Sequence, residues 1–406
     1  MPVRLLGVQI ANGFSPEARI FARLLSYTAP TALEPHLLYH RWGGDVESGD
    51  QFSQAAGGAL ETDGLDFGWR SVARGRALPA KARARLRFLA TLPRALALTR
   101  RINPDVLYSS QQLWDCQAAT YLARKLDKPQ VIHLHYIIGP WLHRPVLERL
   151  LTCDHVIAVS EFIRGEALRH GVAPHKVTTI LNPMPAPAAP EPGARERVRD
   201  ELGLAPDVPL LGIVARLDPD KGQADLLHAF SQVVKEHPRL RLLVVGEETP
   251  WHPGYGDALK ALTVDLGLTR HVLFLGRRAD VPRLLTALDI FVHPTRSDPC
   301  PVAPLEASSA GLPVVAYAEG SADELVQDGV TGLLAPPGDT DALAQCLLAL
   351  LRDPERARAL GRAGRARVAH EFQPGPAGEA FAGLLGRFHG SASEREAGEA
   401  GRVGRR

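Results

Sequence analysis

Leu210-Leu-Gly-Ile-Val-Ala-Arg-Leu-Asp-Pro-Asp-Lys-Gly222 decides the fold. A short apolar run ends in a charged turn, and a helical pattern begins near Ala224. A strand that turns at once into a helix is the opening of a parallel βα unit, whose next strand is reached by a right-handed crossover. The same alternation continues downstream, with apolar runs at Leu240–Val245, Val272–Leu275, Ile290–His293, Pro313–Ala316 and Gly332–Ala335. It also occupies the first half, at Val3–Ile10, His36–Tyr39, Val106–Ser109, Gln130–His135, His155–Val159 and Val177–Leu181. Between the two series lies NPMPAPAAPEPG, residues 182–193, in which proline removes ladder donors and favours an extended linker. A chain of 406 residues is too long for one core, so the expectation is α/β with two doubly wound, Rossmann-like domains. The expected limits are residues 1–182, a linker over 183–204, a second domain over 205–372, a helix over 373–389 that packs back on the first domain, and a disordered tail over 390–406.

Composition narrows the class of function. Lys plus Arg number 47 and Asp plus Glu 45, a balance that argues against a surface built for nucleic acid. The four cysteines, Cys116, Cys153, Cys300 and Cys346, show no CxxC spacing, which indicates neither a disulfide framework nor a zinc site. No signal-peptide pattern opens the sequence and no run of 18 apolar residues occurs in it, so the expected location is cytoplasmic.

Open parallel sheets bind ligands beyond the carboxyl ends of their strands, and the loops there carry the informative residues. Arg216 offers a bidentate fork and Lys221 a point charge beside a helix start, a combination suited to a diphosphate. The competing reading is a solvated turn whose charges pair with Asp218 and Asp220. That Asp-Pro-Asp is formally a DxD, but the cationic loop already meets the charge a metal would bring, and no metal is expected. A second cluster, HPTRSDPCPVAPLEASSAG over His293–Gly311, ends a strand, carries Asp298 in a proline-rich loop, and starts a helix near Ala303 with Glu306 in its first turn. The N–H groups of Val302, Ala303 and Leu305 there are read as open donors to a ligand.

These residues resemble the retaining glycosyltransferases of family 4. The resemblance rests on ARLDPDKG, PTRSDPCPVAPLEASSAGLPVVA, GSADELVQDGVTGLLAPPGD and LGRRADVPRLLTALDIFVHP in the second domain. In the first it rests on the Gly13 loop, His135 in VIHLHY, and VIAVSEFIR with Ser160. It implies two Rossmann-like domains facing each other across a ligand cleft, the GT-B type. It implies transfer of a hexose from a nucleotide diphosphate sugar to an acceptor hydroxyl, with retention and without metal, in polysaccharide or glycolipid synthesis.

By the same resemblance Arg216 and Lys221 bind the donor diphosphate and Glu306 the ribose. Asp298 stands where the family usually has Glu beside the sugar hydroxyls, and His135 contacts the transferring sugar. Gly13, Gly246, Val302, Ala303, Pro304 and Leu305 line the donor, and Asn12, Ser160 and Asn182 the acceptor side. A nucleotide-sugar epimerase or a non-catalytic sugar-binding protein are the alternatives this fold allows. His133 and His135 form an HxH without a third ligand, so zinc is not indicated. Gly13, lacking Cβ, lets a phosphate or sugar approach the backbone, though no GxGxxG accompanies it.

Trp69–Arg101 holds ten Arg or Lys and no Asp or Glu, with Leu86, Leu89, Leu92 and Leu96 at helical spacing. It reads either as a basic amphipathic segment on the anionic inner face of a membrane, near a lipid-linked acceptor, or as a solvated helix packed by those leucines. Aromatic residues for base stacking are nearly absent from it.

Overall fold

The computed structural model describes residues 1–10, 15–40, 47–58, 60–67, 78–110, 113–142, 144–186 and 191–389. The chain divides into two compact units, Met1–Pro183 with the segment from Pro374 on, and Met184–Gln373. Each is built on one parallel sheet.

In the first unit the strands are β1 (Val3–Gln9), β2 (Leu33–His40), β3 (Glu61–Leu65), β4 (Val106–Ser109), β5 (Gln130–Leu134), β6 (His155–Ala158) and β7 (Val177–Thr179), in spatial order β3-β2-β1-β4-β5-β6-β7. The apolar runs expected from sequence fall on six of these. β3, ETDGL, was not expected, because an edge strand that is half solvated needs no continuous apolar run. Its register against β2 pairs Glu61 with His36. The helix Pro374–Gly386 belongs to this unit. Phe381 is fully buried and meets Tyr108 edge-on at 5.7 Å between ring centroids. Gly378 lies so close to the Tyr27 carbonyl that a Cβ would sit 2.5 Å from its oxygen.

In the second unit the strands are β8 (Leu210–Val214), β9 (Arg241–Val245), β10 (Val272–Gly276), β11 (Ile290–His293), β12 (Val314–Tyr317) and β13 (Gly332–Ala335), in order β10-β9-β8-β11-β12-β13. All register pairs are parallel. Leu226, Phe230 and Val233 of the helix Gln223–Glu236 and Leu343 and Leu347 of the helix Thr340–Arg352 cover the sheet in one core with Leu211, Ile213 and Val292. Burial of the sheet by helices explains why its strands read as unbroken apolar runs.

Residues 194–201, placed by sequence in an extended linker, form a helix, Ala194–Glu201. It is held by arginines as well as by the buried Ala194 and Val198. Arg199, 1% exposed, donates to the carbonyls of Ala287 and Val208 and to Asp289 Oδ2, and Asp289 Oδ2 also accepts the Leu210 N–H. The helix therefore clamps the starts of β8 and β11, and these residues belong to the second unit.

Candidate active site

Strand order reverses direction of progression at β8–β11 in the second sheet, and the two loops leaving that switch point are the ones carrying Arg216, Lys221 and Asp298. They are joined at three places. Lys221 Nζ donates to Asp298 Oδ2 at 2.6 Å, both side chains being largely shielded. The Arg296 N–H donates to the Asp220 carbonyl at 2.9 Å. Gly222, in the left-handed region at φ 69°, lies against Pro294, where a Cβ would stand 1.9 Å from the carbonyl oxygen.

Local sequence explains the first loop. Asp218 caps a short 3₁₀ turn, Pro219–Lys221, accepting the Asp220 N–H, and Gly222 reverses the chain into the helix Gln223–Glu236. Asp218 also accepts from Thr249 Oγ1 at 3.3 Å and faces His252 Nδ1 at 3.2 Å. It is a buried cap, and the turn-pairing reading of Lys221 with Asp218 or Asp220 gives way to the pairing with Asp298. The Arg216 backbone is pinned by Gln223 Nε2 on its carbonyl, while its guanidinium is exposed and has no acidic partner among the described residues. Gly246 allows this close packing: at φ 147° it brings its backbone so near Ala215 that a Cβ would lie 1.8 Å from the carbonyl oxygen. Beside it opens a pocket of about 330 Å³ lined by Leu217, Gly246, Glu248, Lys260 and Phe274.

The second loop is fixed from both sides. Gly320 passes against Asp298, with a Cβ position 2.6 Å from the Asp298 carbonyl oxygen, and Ser321 Oγ donates to that oxygen at 3.4 Å. His293, at the end of β11, puts Nε2 3.9 Å from Asp298 Oδ2. Burial pushes its imidazole down to about 4, Asp298 opposing and Lys221 assisting. His293 therefore stands neutral beside the Lys221–Asp298 pair at pH 7. His293 opens the His293–Gly311 cluster and Gly320 the GSADELVQDGVTGLLAPPGD stretch, and sequence assigns a role to neither.

The helix Val302–Ser309 follows, with Pro301 at its N-cap. Glu306 is half-buried in the second turn and not, as expected, in the first. Val302 and Ala303 are the two first-turn residues whose N–H groups lie ahead of any intrahelical carbonyl. Pro304, expected among the donor-binding positions, is buried and has no N–H to give. Leu305 is also buried.

In the first unit the switch point lies between β1 and β4. Asn12 and Gly13 lie outside the described residues. The helix after them, Pro16–Ser26, starts at Ser15, whose Oγ accepts the Ala18 N–H at 3.2 Å. His135 stands one residue beyond β5. Its ring packs 4.1 Å from that of His133, whose Nδ1 is 2.8 Å from the buried Tyr108 hydroxyl. Burial pushes the His135 imidazole down to about 4, against the opposing field of Glu17, and holds His133 well below the usual histidine range. Both rings are neutral at pH 7, and neither Nε2 has a hydrogen-bond partner among the described residues. Ser160 is the N-cap of the helix Glu161–Arg169, its Oγ accepting the Ile163 N–H. Asn182 is buried at the end of this unit, next to Pro183, whose carbonyl accepts from Arg23.

Two family models match. Residues 21–186 match Glycosyltransferase Family 4, and residues 194–367 match Glycosyl transferases group 1. The chain belongs to the family 4 glycosyltransferases. Among its relatives, a GDP-mannose-dependent monoacylated alpha-(1-6)-phosphatidylinositol monomannoside mannosyltransferase of Corynebacterium glutamicum is 36% identical over 208 residues, 49% of this chain and 52% of the relative. An alpha-maltose-1-phosphate synthase of Mycolicibacterium smegmatis is 33% identical over 256 residues, 58% of this chain and 63% of the relative. The chain thus spans about half the length of the first of these relatives. Among solved structures, Anabaena HepE in complex with UDP and glucose has a TM-score of 0.79 at 21% identity, covering 95% of this chain and 99% of that one. Sucrose-phosphate synthase from Thermosynechococcus elongatus has a TM-score of 0.74 at 21% identity, covering 96% and 100%. These similarities show the fold, two Rossmann-like domains.

Proposed function

We propose that this glycosyltransferase moves a hexose from a nucleotide diphosphate sugar to an acceptor hydroxyl, with retention at the anomeric carbon and without a metal ion. The observation that carries the reading is the cationic loop at the β8–β11 switch point: an exposed Arg216 guanidinium, with no acidic partner among the described residues, five residues from a Lys221 ammonium already held in place by Asp298. Lys221 has three N–H donors, and one pointing to Asp298 leaves two for phosphate oxygens. Donors fixed before the reaction stabilise the charge that develops on the departing diphosphate at no reorganisation cost. The leaving phosphate oxygen then takes the acceptor proton on the face it has just vacated, which retains configuration. Glu306 accepts from the ribose, Gly246 and the pocket beside it take the nucleoside, and neutral His135 meets the sugar hydroxyls as a donor or acceptor. Relatives named for GDP-mannose and for a phosphatidylinositol glycolipid, and a structural neighbour holding UDP and glucose, support a nucleotide-sugar donor and a carbohydrate or lipid-linked acceptor.

The test is a thermal-shift screen with UDP-, GDP- and ADP-sugars, followed by NMR of the product's anomeric configuration. A ligand at 100 times its Kd adds about 2.7 kcal/mol of stability. A shift with one donor class and an axial or equatorial bond unchanged between donor and product are expected. No shift with any donor, or an inverted product, overturns the reading.

A further inference from the structure

The helix Leu78–Ile102 packs on its domain by a face that the leucine spacing did not predict. Its buried residues are Ala84, Phe88, Leu92, Ala95 and Thr99. Phe88 meets Trp114 edge-on at 4.7 Å, and Leu92 and Ala95 join the core formed by Leu107, Ala119 and Leu122. Leu86 and Leu89, which the solvated-helix reading would have buried, are instead 66% and 52% exposed.

At 100° per residue, Ala82, Leu86, Leu89, Ala90, Pro93 and Ala97 fall on one outward stripe, and all six are exposed. Arg83, Arg87, Arg94 and Arg101 border this apolar stripe on one side and Arg85 on the other, every one exposed. No acid occurs within the helix. Arg87 lies 3.7 Å from Asp66, with both side chains more than half exposed. No described helix is long and apolar enough to cross a membrane.

We propose that this helix lies in the plane of an anionic lipid surface, with Leu86 and Leu89 entering the boundary between headgroups and acyl chains and the flanking arginines on lipid phosphates. An apolar ridge bordered by long cationic side chains is complementary to that interface, since arginine stems cover apolar surface while their heads reach the phosphates. A purely polyanionic partner would use the arginines and leave the leucines in water. The inference stands on the helix alone and does not depend on the transfer reaction. If the proposed function is also right, it brings the domain next to an acceptor carried on lipid.

Co-sedimentation of the full chain with phosphatidylcholine vesicles, with and without phosphatidylglycerol, tests it. Binding only to the anionic vesicles is expected, weakening as salt shortens the Debye length from about 10 Å at 0.1 M. Each arginine at such a surface contributes about a fivefold factor in partitioning, so Arg83→Glu, Arg87→Glu and Arg94→Glu combined weaken binding by at least roughly 100-fold. Leu86→Ser with Leu89→Ser, which keeps every charge, weakens it roughly tenfold. Both variants keep the wild-type melting temperature, because the replaced side chains are exposed. Failure of the wild type to sediment with anionic vesicles at low salt overturns the proposal. So does unchanged binding by the leucine variant, which would assign the surface to a polyanion or an acidic protein, and so does a dimer that the leucine variant abolishes without any vesicle binding. None of these outcomes bears on donor thermal shifts, so the lipid surface and the transferase reading fail separately.

Discussion

Lys221 Nζ donates to Asp298 Oδ2 at 2.6 Å, joining loops that are 77 residues apart in sequence. The pair makes the cationic loop a fixed element ahead of any ligand, and it separates the roles of the two cations. Arg216 is exposed and has no acidic partner among the described residues, whereas Lys221 is also part of the structure of its domain.

Arg216→Ala and Lys221→Ala should therefore differ. Both lose transfer by about 10² to 10³, the effect of removing one preorganised donor from developing charge. Arg216→Ala leaves the melting temperature unchanged. Lys221→Ala strands Asp298 beside neutral His293 and lowers stability by up to about 3 kcal/mol, the low end for breaking a shielded pair. Circular dichroism melts of the two variants, alongside steady-state rates, check this. Equal stability of both would show that the Lys221–Asp298 pair contributes nothing net.

Acid should destabilise the protein before its carboxylates titrate. His135, His155 and His293 are pushed down to about 4 in the folded state, in each case mainly by burial, against about 6.5 when unfolded. Between those values the unfolded chain binds more protons, so stability rises with pH there. The contribution is fully present above about 6.5 and is lost as pH falls toward 4. Melting temperature is expected to be flat from pH 7 to 8 and to drop steadily from pH 6.5 to 4.5. His293→Asn should flatten the slope. An acid limb that begins only below pH 4.5 would refute this assignment of neutral histidines.

Transfer should survive EDTA. Asp218, one half of the DxD, is 4% exposed and already accepts from the Asp220 N–H and Thr249 Oγ1, so its oxygens serve the turn that presents Lys221. Loss of turnover on chelation, restored by Mg²⁺ or Mn²⁺, would instead make Asp218 and Asp220 ligands.

Much of this was legible in sequence because parallel strands covered on both faces have to be apolar throughout, as in Leu210–Val214 and Ile290–His293. The strand Glu61–Leu65 was not legible, since an edge position asks little of its residues. The charged octet ARERVRDE reads as solvated linker, yet it is a packed helix. Arg199 is buried by satisfying carbonyls that no local pattern announces. In the basic helix the leucine spacing points to one packed face, whereas the buried face carries Ala84, Phe88, Leu92, Ala95 and Thr99, with Phe88 against Trp114 of another helix, a tertiary contact that no local pattern announces. In the site, Arg216, Lys221 and Asp298 stand out by charge next to strand ends. Their pairing is tertiary, and neither the neutral His293 beneath them nor the Gly320 crossing is visible before the loops are placed.

Gly222 offers the sharpest probe of that tertiary arrangement. It follows Lys221 directly, has φ 69°, and touches the carbonyl of Pro294, the residue after the buried His293. A methyl group there meets two penalties: the left-handed backbone, about 1 to 2 kcal/mol for a residue with Cβ, and an oxygen 1.9 Å from the Cβ position that must move away. Because the obstacle is backbone, relief comes from separating the β8 and β11 loops, which lengthens the Lys221–Asp298 contact. Gly222→Ala is expected to lower the melting temperature by about 5 to 10 °C and to weaken the donor-induced thermal shift. Gly254→Ala, also at positive φ but with nothing within 4 Å of its Cβ position, should cost only the backbone term and leave the donor shift intact. If the two alanine variants behave alike, loop contact at Pro294 does not set the placement of Lys221.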